Sequence, residues 1–267
     1  MDFSLLWLCL AALFAGAVNA LAGGGTLLTF PALFAALTPN FNAAAAVMAN
    51  GTSTVALAPA SLGSSWGFRR EVAKVRRWLA LLIVPSLIGG LAGALLASKL
   101  SPKYFNLLVP WLILTAAILF TLQPLLSKLR SAAANPAQPA QPPSGWTVAG
   151  IVGFQLLVAL YGGYFGAGIG ILMLTSLGFL GLADIHEMNA LKNVLASCIN
   201  LTAAAVFIFD GRVVWHLALM MTACSILGGY LAARWGRKLK PAYVRALVIG
   251  NGFSLAAFYF WRQWTGA

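Results

Sequence analysis

Glycines gather at two places in the chain, and at both places they interrupt a run of apolar residues. The first cluster is Asn19–Thr26, N-A-L-A-G-G-G-T, and the second is Tyr161–Gly170, Y-G-G-Y-F-G-A-G-I-G. Consecutive glycines break a helix, and a break inside a membrane leaves N–H groups that lipid cannot satisfy. The half-helix after each break starts with free N–H groups and a positive dipole end. The pattern therefore predicts a site for an anion, unless the glycines serve only close helix packing.

Polar side chains near these clusters could complete such a site. Asn50 and Thr52 lie in an apolar stretch, and Asn193 shares a helical face with Ser197, four residues later. Lys192 borders that face, and a lysine in an apolar stretch either faces a cavity or extends to the membrane surface. We expect the anion to bind between the two clusters. The predicted binding residues are Asn19, Gly23, Gly24, Gly25, Thr26, Asn50, Thr52, Gly166, Gly168, Gly170, Lys192 and Asn193.

The remaining charged residues favour structural roles over chemistry. The segment Asp184–Glu187, D-I-H-E, matches a helix capping box, although its Asp, His and Glu could also sense protons. Asp2, Glu71 and Asp210 fall near the ends of apolar stretches, which argues against a cation transporter or a charged-ring channel. The sequence has no nucleotide-binding loop, nucleophile elbow or zinc-protease motif. We therefore predict no enzymatic activity, no cofactor and no metal, and any transport must be passive or driven by an ion gradient.

The composition indicates the environment of these residues. Charged residues make up 8% of the 267 residues and hydrophobic residues 61%, with a mean hydropathy of +0.87, whereas about a quarter of a soluble protein is charged. Apolar stretches of about 20 residues recur, and each is long enough to cross a bilayer. The net charge of +12 does not indicate nucleic acid, because the 17 Lys and Arg lie almost entirely between apolar stretches. We predict an all-α polytopic membrane protein.

The chain contains two similar halves. Residues 1–130 form the first predicted repeat and 146–267 the second, joined by a Pro-, Ala- and Gln-rich linker at 131–145. Four matches keep the same order in both halves: Ala22–Gly25 with Ala167–Gly170, Asn50 with Asn193, Trp66–Arg69 with Phe209–Arg212, and Ser98–Pro102 with Arg237–Pro241. Ordered matches that include glycines and a proline are typical of an internal repeat. We expect each repeat to hold a broken or re-entrant helix pair plus three transmembrane helices.

The positive charges predict the orientation of the repeats. If the segments Phe3–Leu37 and Trp146–Leu182 each enter the membrane and return to the same side, most basic residues share one face. That face then holds Arg69, Arg70, Lys74, Arg76, Arg77, Lys128, Arg130, Lys192, Arg234, Arg237, Lys238, Lys240 and Arg245, and the other holds Lys99, Lys103, Arg212 and Arg262. This bias is typical of cytoplasm against periplasm. We therefore predict two inverted repeats in a bacterial inner membrane, with both termini periplasmic.

Charge counting does not distinguish a re-entrant hairpin from a pair of full crossings in each broken segment. The stretch Leu27–Leu37 reaches only about 17 Å as a helix, which favours the hairpin.

Both glycine clusters resemble those of a known family. The segment Asn19–Pro31, its counterpart Tyr161–Gly170 and the following N-A-L-K-N are similar to the sulfite exporter TauE/SafE family, and the resemblance covers nearly the whole chain. The family motif falls on Asn19, Gly23, Gly24, Gly25, Pro31, Gly163, Gly166, Gly168 and Gly170. The chain departs from it at Ile169, and Ser176 stands where Pro31 would recur. We expect the second break to be tighter and less involved in binding.

The resemblance implies a bacterial membrane carrier of a small sulfur-containing anion such as sulfite, sulfoacetate or a related organosulfur compound. It suggests a secondary transporter, expected to export, that exposes a midplane site to each side in turn. An anion-selective channel and a non-transporting membrane assembly protein stay open as alternatives. Coupling to a proton or another ion, and assembly as a homo-oligomer, also stay open.

Overall fold

The computed structural model describes residues 3–21, 24–133, 144–180, 182, 184–235 and 241–265. These residues contain eleven α-helices, two 3-10 turns and no strand. The helices are α1 Phe3–Leu21, α2 Thr26–Phe41, α3 Ala45–Gly67, α4 Arg69–Lys74, α5 Arg76–Lys99, α6 Pro102–Ala133, α7 Gly145–Tyr164, α8 Ile169–Leu177, α9 Ile185–Phe209, α10 Trp215–Trp235 and α11 Pro241–Thr265. Most of the predicted linker and the predicted site residue Gly23 lie outside the described residues.

Several segments have the length and composition of membrane spans. Within the described residues, five qualify: Thr26–Gly67, Arg76–Lys99, Pro102–Leu126, Gly145–Tyr164 and Ile185–Phe209. The surface carries large exposed apolar side chains such as Trp111, Leu157 and Leu219. An apolar surface of this extent is expected of a protein whose solvent is lipid. The prediction of an all-α polytopic membrane protein is confirmed.

The helices stop at both glycine clusters. In the first cluster α1 ends at Leu21 and α2 begins at Thr26. In the second, α7 ends at Tyr164 and α8 begins at Ile169. Gly166 and Gly168 have φ angles of +84° and +81°, a left-handed conformation that side chains disfavour. The glycines therefore interrupt the helices as predicted, and α2 and α8 are short, at 16 and 9 residues.

Helices α3 and α9 cross the molecule side by side in opposite directions. Near the start of α3, Gly51 faces the side chain of Phe207 near the end of α9. Near the end of α3, the hydroxyl oxygens of Ser65 and Ser197 lie 2.7 Å apart. The two helices are therefore antiparallel, and each belongs to a different half of the chain.

Helices α1 and α10 approach each other through glycines. Gly16 of α1 packs directly on the carbonyl of Ser225, and Gly228 of α10 packs directly on the carbonyl of Leu13. A Cβ atom at either glycine would overlap the opposing backbone, so only glycine permits this approach.

Helices α5 and α7 repeat the same arrangement. Gly163 of α7 packs on the carbonyl of Gly90, and Gly93 of α5 packs on the carbonyl of Leu160. In both crossings one helix comes from the first half and one from the second, and each supplies a glycine. This exchange is expected if α1 corresponds to α7 and α5 to α10.

Candidate functional site

A small polar cavity lies where the two helix breaks meet. Its volume is about 40 Å³. Since a buried water needs about 10–15 Å³ by the same measure, the cavity has room for a few waters or one small solute. Its lining comes from both halves of the chain: Asn19, Gly24, Gly25, Thr26, Thr54, Leu57, Ser61, Ser64, Gly162, Phe165, Gly166, Ile169, Gly170, Lys192, Asn193, Ala196 and Asn200.

The structure brings most of the predicted binding residues to this cavity. Those that line it are Asn19, Gly24, Gly25, Thr26, Gly166, Gly170, Lys192 and Asn193. Three others, Asn50, Thr52 and Gly168, lie outside its lining.

Lys192 brings a positive charge to the cavity wall. Only 5% of the surface of Lys192 is exposed, so the side chain does not extend to the surface of the protein. Within the described residues its ammonium has no hydrogen bond or ion pair. The carboxylates of Glu187 and Asp210 pair with other lysines, Lys74 at 3.6 Å and Lys99 at 2.9 Å. A buried ammonium is costly unless something pairs with it. The cavity is therefore electropositive and lacks a built-in counter-ion.

The short helices α2 and α8 both begin at the cavity. Their first hydrogen bonds are donated by the amides of Leu27 and Ile171, at 3.2 and 3.1 Å. The earlier amides of Thr26 and Gly170, which line the cavity, have no acceptor among the described residues. Free N–H groups at a helix start carry partial positive charge and favour an anion.

Two asparagine amides converge on Ser61. The Nδ2 atoms of Asn19 and Asn200 donate to Ser61 Oγ at 3.3 and 3.1 Å, which links α1, α3 and α9 at the cavity. Sequence reasoning did not select Thr54, Ser61 and Ser64 as binding residues. Their spacing was the available signal, because residues three, four and seven apart share one helical face.

Asn50 and Thr52 hold the backbone around the site. Asn50 donates through Nδ2 to the carbonyl of Tyr164 at 2.9 Å, beside the second break. The Thr52 hydroxyl accepts from the amide of Val214 at 3.0 Å, which fixes the start of α10. Gly168 precedes α8 in a left-handed conformation. These three residues position the site without lining its cavity.

The second break is held closed by its own tyrosine. The Tyr161 hydroxyl donates to the carbonyl of Ala167 at 2.8 Å. The carbonyl of Tyr161 accepts from the amides of Phe165 and Gly166, at 2.9 and 3.2 Å. The Tyr161 hydroxyl thus supports the loop, while Gly166, Ile169 and Gly170 of the same break still line the cavity.

Asp184 acts as a helix cap. Its Oδ1 accepts from the amide of His186 at 2.8 Å, while Glu187 pairs with Lys74 at 3.6 Å. The capping interpretation therefore describes Asp184, and Glu187 ties α9 to α4.

A polar clasp joins the end of α5 to the end of α9. Asp210 accepts from the Ser98 hydroxyl at 2.6 Å and from Lys99 Nζ at 2.9 Å. Arg212 donates to the carbonyl of Ser98 at 3.2 Å. The hydrogen bond from Ser98, followed by that from Lys99, holds the pKa of the Asp210 carboxyl below its usual value.

An all-helical membrane chain whose polar cavity is formed by two interrupted helices has the features of the membrane transporter class. Comparison with known proteins identifies the family within this class. The chain belongs to the sulfite exporter TauE/SafE family, whose model matches residues 8–259. The resemblance inferred from the glycine clusters is therefore confirmed.

Three relatives support the same class. A Haemophilus influenzae protein named probable membrane transporter protein is 27% identical over 244 residues, which cover 90% of this chain and 88% of the relative. A Sinorhizobium protein of similar name is 26% identical over 259 residues, covering 94% and 90%. The probable membrane transporter YfcA of Escherichia coli is 29% identical over 231 residues, covering 85% and 77%. No solved structure matches the chain. Family and relatives indicate a multi-pass membrane transporter.

Proposed function

We propose that the protein is a secondary carrier, acting as an exporter, that binds a small sulfur oxyanion in the cavity between the two helix breaks. The observation that carries the proposal is Lys192, a buried ammonium at the cavity wall without a partner among the described residues. An anion supplies the missing charge, and the amides of Thr26 and Gly170, which have no acceptor among the described residues, supply hydrogen bonds. The lining residues include no carboxylate, so the cavity offers a cation no charged ligand.

The size of the cavity favours sulfite among the candidate substrates. A volume of about 40 Å³ admits a solute about as large as three waters. Sulfite has one sulfur and three oxygens, whereas sulfoacetate adds a two-carbon acid. The larger organosulfur anions would need the cavity to widen.

Helix directions support two inverted repeats. The matching helices α3 and α9 run antiparallel. The matching helices α6 and α11 are also antiparallel. Gln263, near the end of α11, donates to the carbonyl of Asn106, near the start of α6, at 2.8 Å. Further along, Gly252 meets Ala117. Corresponding helices that run in opposite directions are the signature of inverted halves. Together with the positive-inside rule, this arrangement supports periplasmic positions for both termini in a bacterial inner membrane.

The cavity favours alternating access over an open channel. Its lining on α3 runs from Thr54 to Ser64, towards the carboxyl end of that helix. Towards the amino end, Asn50, Thr52 and Ser53 are fully buried in packed structure. Movement of one half relative to the other would close the first side and open the second.

Counterflow in proteoliposomes tests the proposal. We expect vesicles preloaded with sulfite to accelerate uptake of labelled sulfite, and external sulfite to compete more strongly than sulfoacetate. A channel would give flux that neither saturates nor responds to internal sulfite. An assembly protein would give no flux above that of empty vesicles. Either result would remove the carrier proposal.

A further inference from the structure

Four aromatic rings form a continuous row that starts at the central cavity. Phe165, which lines the cavity, meets Phe30 edge to face with centroids 5.2 Å apart. Phe30 stacks on Phe34 at 5.9 Å, and Phe34 meets Tyr259 at 5.5 Å. Phe30 is 0% and Phe165 2% exposed. Close packing of this kind leaves no space for water or an ion between the rings.

The row ends at a second pocket of about 360 Å³. Phe34 and Tyr259 belong to both the row and this pocket, whose other lining residues include Thr38, Arg262 and Gln263. The described lining contains a guanidinium and no carboxylate. The pocket is therefore wide and lined in part by polar side chains, whereas the row that separates it from the cavity is closely packed and apolar.

The two pockets lie at different positions along α3. The second pocket lies where α2 ends and α6 begins, as Thr38 and Asn106 both line it. This is the amino end of α3, because the Asn106 side chain donates to the carbonyl of Ala43 at 3.0 Å. The central cavity instead extends to Ser64, towards the carboxyl end of α3. The row of rings thus stands between the central cavity and a second pocket nearer the amino end of α3.

The two halves differ at the position of the central ring. Ser176 corresponds to Pro31, so Thr175 corresponds to Phe30. Thr175 is half-buried, and its hydroxyl bonds to the carbonyl of Ile171 within its own helix at 2.8 Å. A ring therefore packs behind the cavity wall in the first half, while a small polar residue occupies the matching position in the second half.

We propose that the second pocket is the outer mouth of the transport path and that the aromatic row is its closed gate, with Phe30 as the blocking residue. The proposal rests on the proposed function for its meaning, although its geometry does not depend on the substrate. Phe30 belongs to the first half and Phe165 to the second break, so movement of one half against the other separates these rings.

Cysteine labelling tests the gate without any substrate. The starting variant has Cys9, Cys198 and Cys224 replaced by alanine, and it receives either Thr38→Cys in the mouth or Thr54→Cys in the cavity. A charged, membrane-impermeant thiol reagent is applied to the side that carries a C-terminal tag. We expect Thr38→Cys to react and Thr54→Cys to be protected. Added to the second variant, Phe30→Ala raises the labelling rate of the cavity cysteine by at least about tenfold, because the packed barrier is lost.

Phe14→Ala is the matched control, since Phe14 is 54% exposed on the outer surface and its removal leaves Thr54→Cys protected. Labelling of Thr38→Cys in the Phe30→Ala background, at an unchanged rate, shows that the variant is folded. If Phe30→Ala does not fold, Phe34→Ala repeats the test further along the row. An unreactive Thr38→Cys, or a cavity cysteine whose rate is the same with and without the ring, overturns the proposal. A failure of sulfite counterflow would instead count against the proposed function alone.

Discussion

Neutralising Lys192 is the sharpest test of the binding site. Lys192→Met keeps the length and apolar stem of the side chain while removing its charge. Because the cavity is small and Lys192 is nearly buried, a bound oxyanion must lie close to the ammonium. The substitution should therefore weaken substrate binding far more than it disturbs the fold. The removed charge had no partner among the described residues, so no carboxylate in that part of the chain loses one.

The expected loss follows from electrostatics. Two unit charges about 4 Å apart interact by about 4 kcal/mol at an effective dielectric constant of about 20. Desolvation of the anion offsets part of this attraction, so we expect a loss of about 2–4 kcal/mol, or about 30- to 900-fold in affinity. Lys192→Arg should retain more binding than Lys192→Met, although the larger guanidinium fits the small cavity less well.

The assay is sulfite counterflow in proteoliposomes, with initial rates measured over a range of sulfite concentrations. The control is Lys128→Met, which removes an exposed lysine near the end of α6 and should leave the apparent KM unchanged. Size-exclusion chromatography and thermal unfolding in detergent check that all variants fold. If folded Lys192→Met transports sulfite with the same KM and rate as Lys128→Met, the ammonium does not bind the anion and the reasoning from its burial is wrong.

Three further substitutions separate binding from structure. Gly168→Ala should lower the free energy of unfolding by about 1–2 kcal/mol, because the backbone of Gly168 is left-handed. The control is Gly150→Ala, where an added Cβ meets open space and the free energy of unfolding should not fall. Thermal unfolding measures both variants. Ser61→Ala removes the hydroxyl that accepts from the side-chain amides of Asn19 and Asn200. It should raise the KM for sulfite in counterflow by about two- to tenfold. An unchanged KM would mean that Ser61 does not help to shape the binding site. Asp210→Asn should lower the Tm at neutral pH. Because the folded-state pKa of Asp210 is depressed, the carboxylate stabilises the fold above the usual carboxyl pKa, and this stabilisation is lost as the pH falls through the folded-state pKa. The Tm values of wild type and variant should therefore become equal only below the folded-state pKa.

Much of the site was predictable because its residues are close together in the sequence. The glycine clusters announce a helix break locally, and a break in an apolar segment indicates a polar cavity whatever the rest of the fold. Lys192 and Asn193 were also predictable, since a basic residue and an amide in an apolar helix are costly without a polar surrounding. These features depend on the chain within about two turns of helix, which the sequence displays directly.

Depth along a helix was harder to predict than the face of a helix. Asn50 shares its face of α3 with Thr54 and Ser61, but it lies further along, level with the carbonyl of Tyr164 that it binds. Where the cavity ends on α3 depends on how far the second break reaches across from the other half. That distance is set by helix packing between residues more than a hundred positions apart, and no local pattern records it. The aromatic row was missed for the same reason, because Phe30, Phe165 and Tyr259 meet only after folding.

The two breaks differ in the residues beside them, and this difference would favour one resting conformation of the proposed carrier. The first break supplies Asn19 and Thr26 to the cavity, and its helix continues into Phe30, whose ring packs on Phe165. The second break is tied by Tyr161, and its helix carries Thr175 at the matching position. A fully symmetric pair of repeats would present the same barrier to both sides and would have no preferred resting state. At the matched positions Phe30 and Thr175 the ring is present only in the first half, so the conformation closed at the amino end of α3 would gain aromatic packing that its mirror image lacks. The protein should therefore rest with its cavity facing the side rich in Lys and Arg, where an exporter meets its substrate.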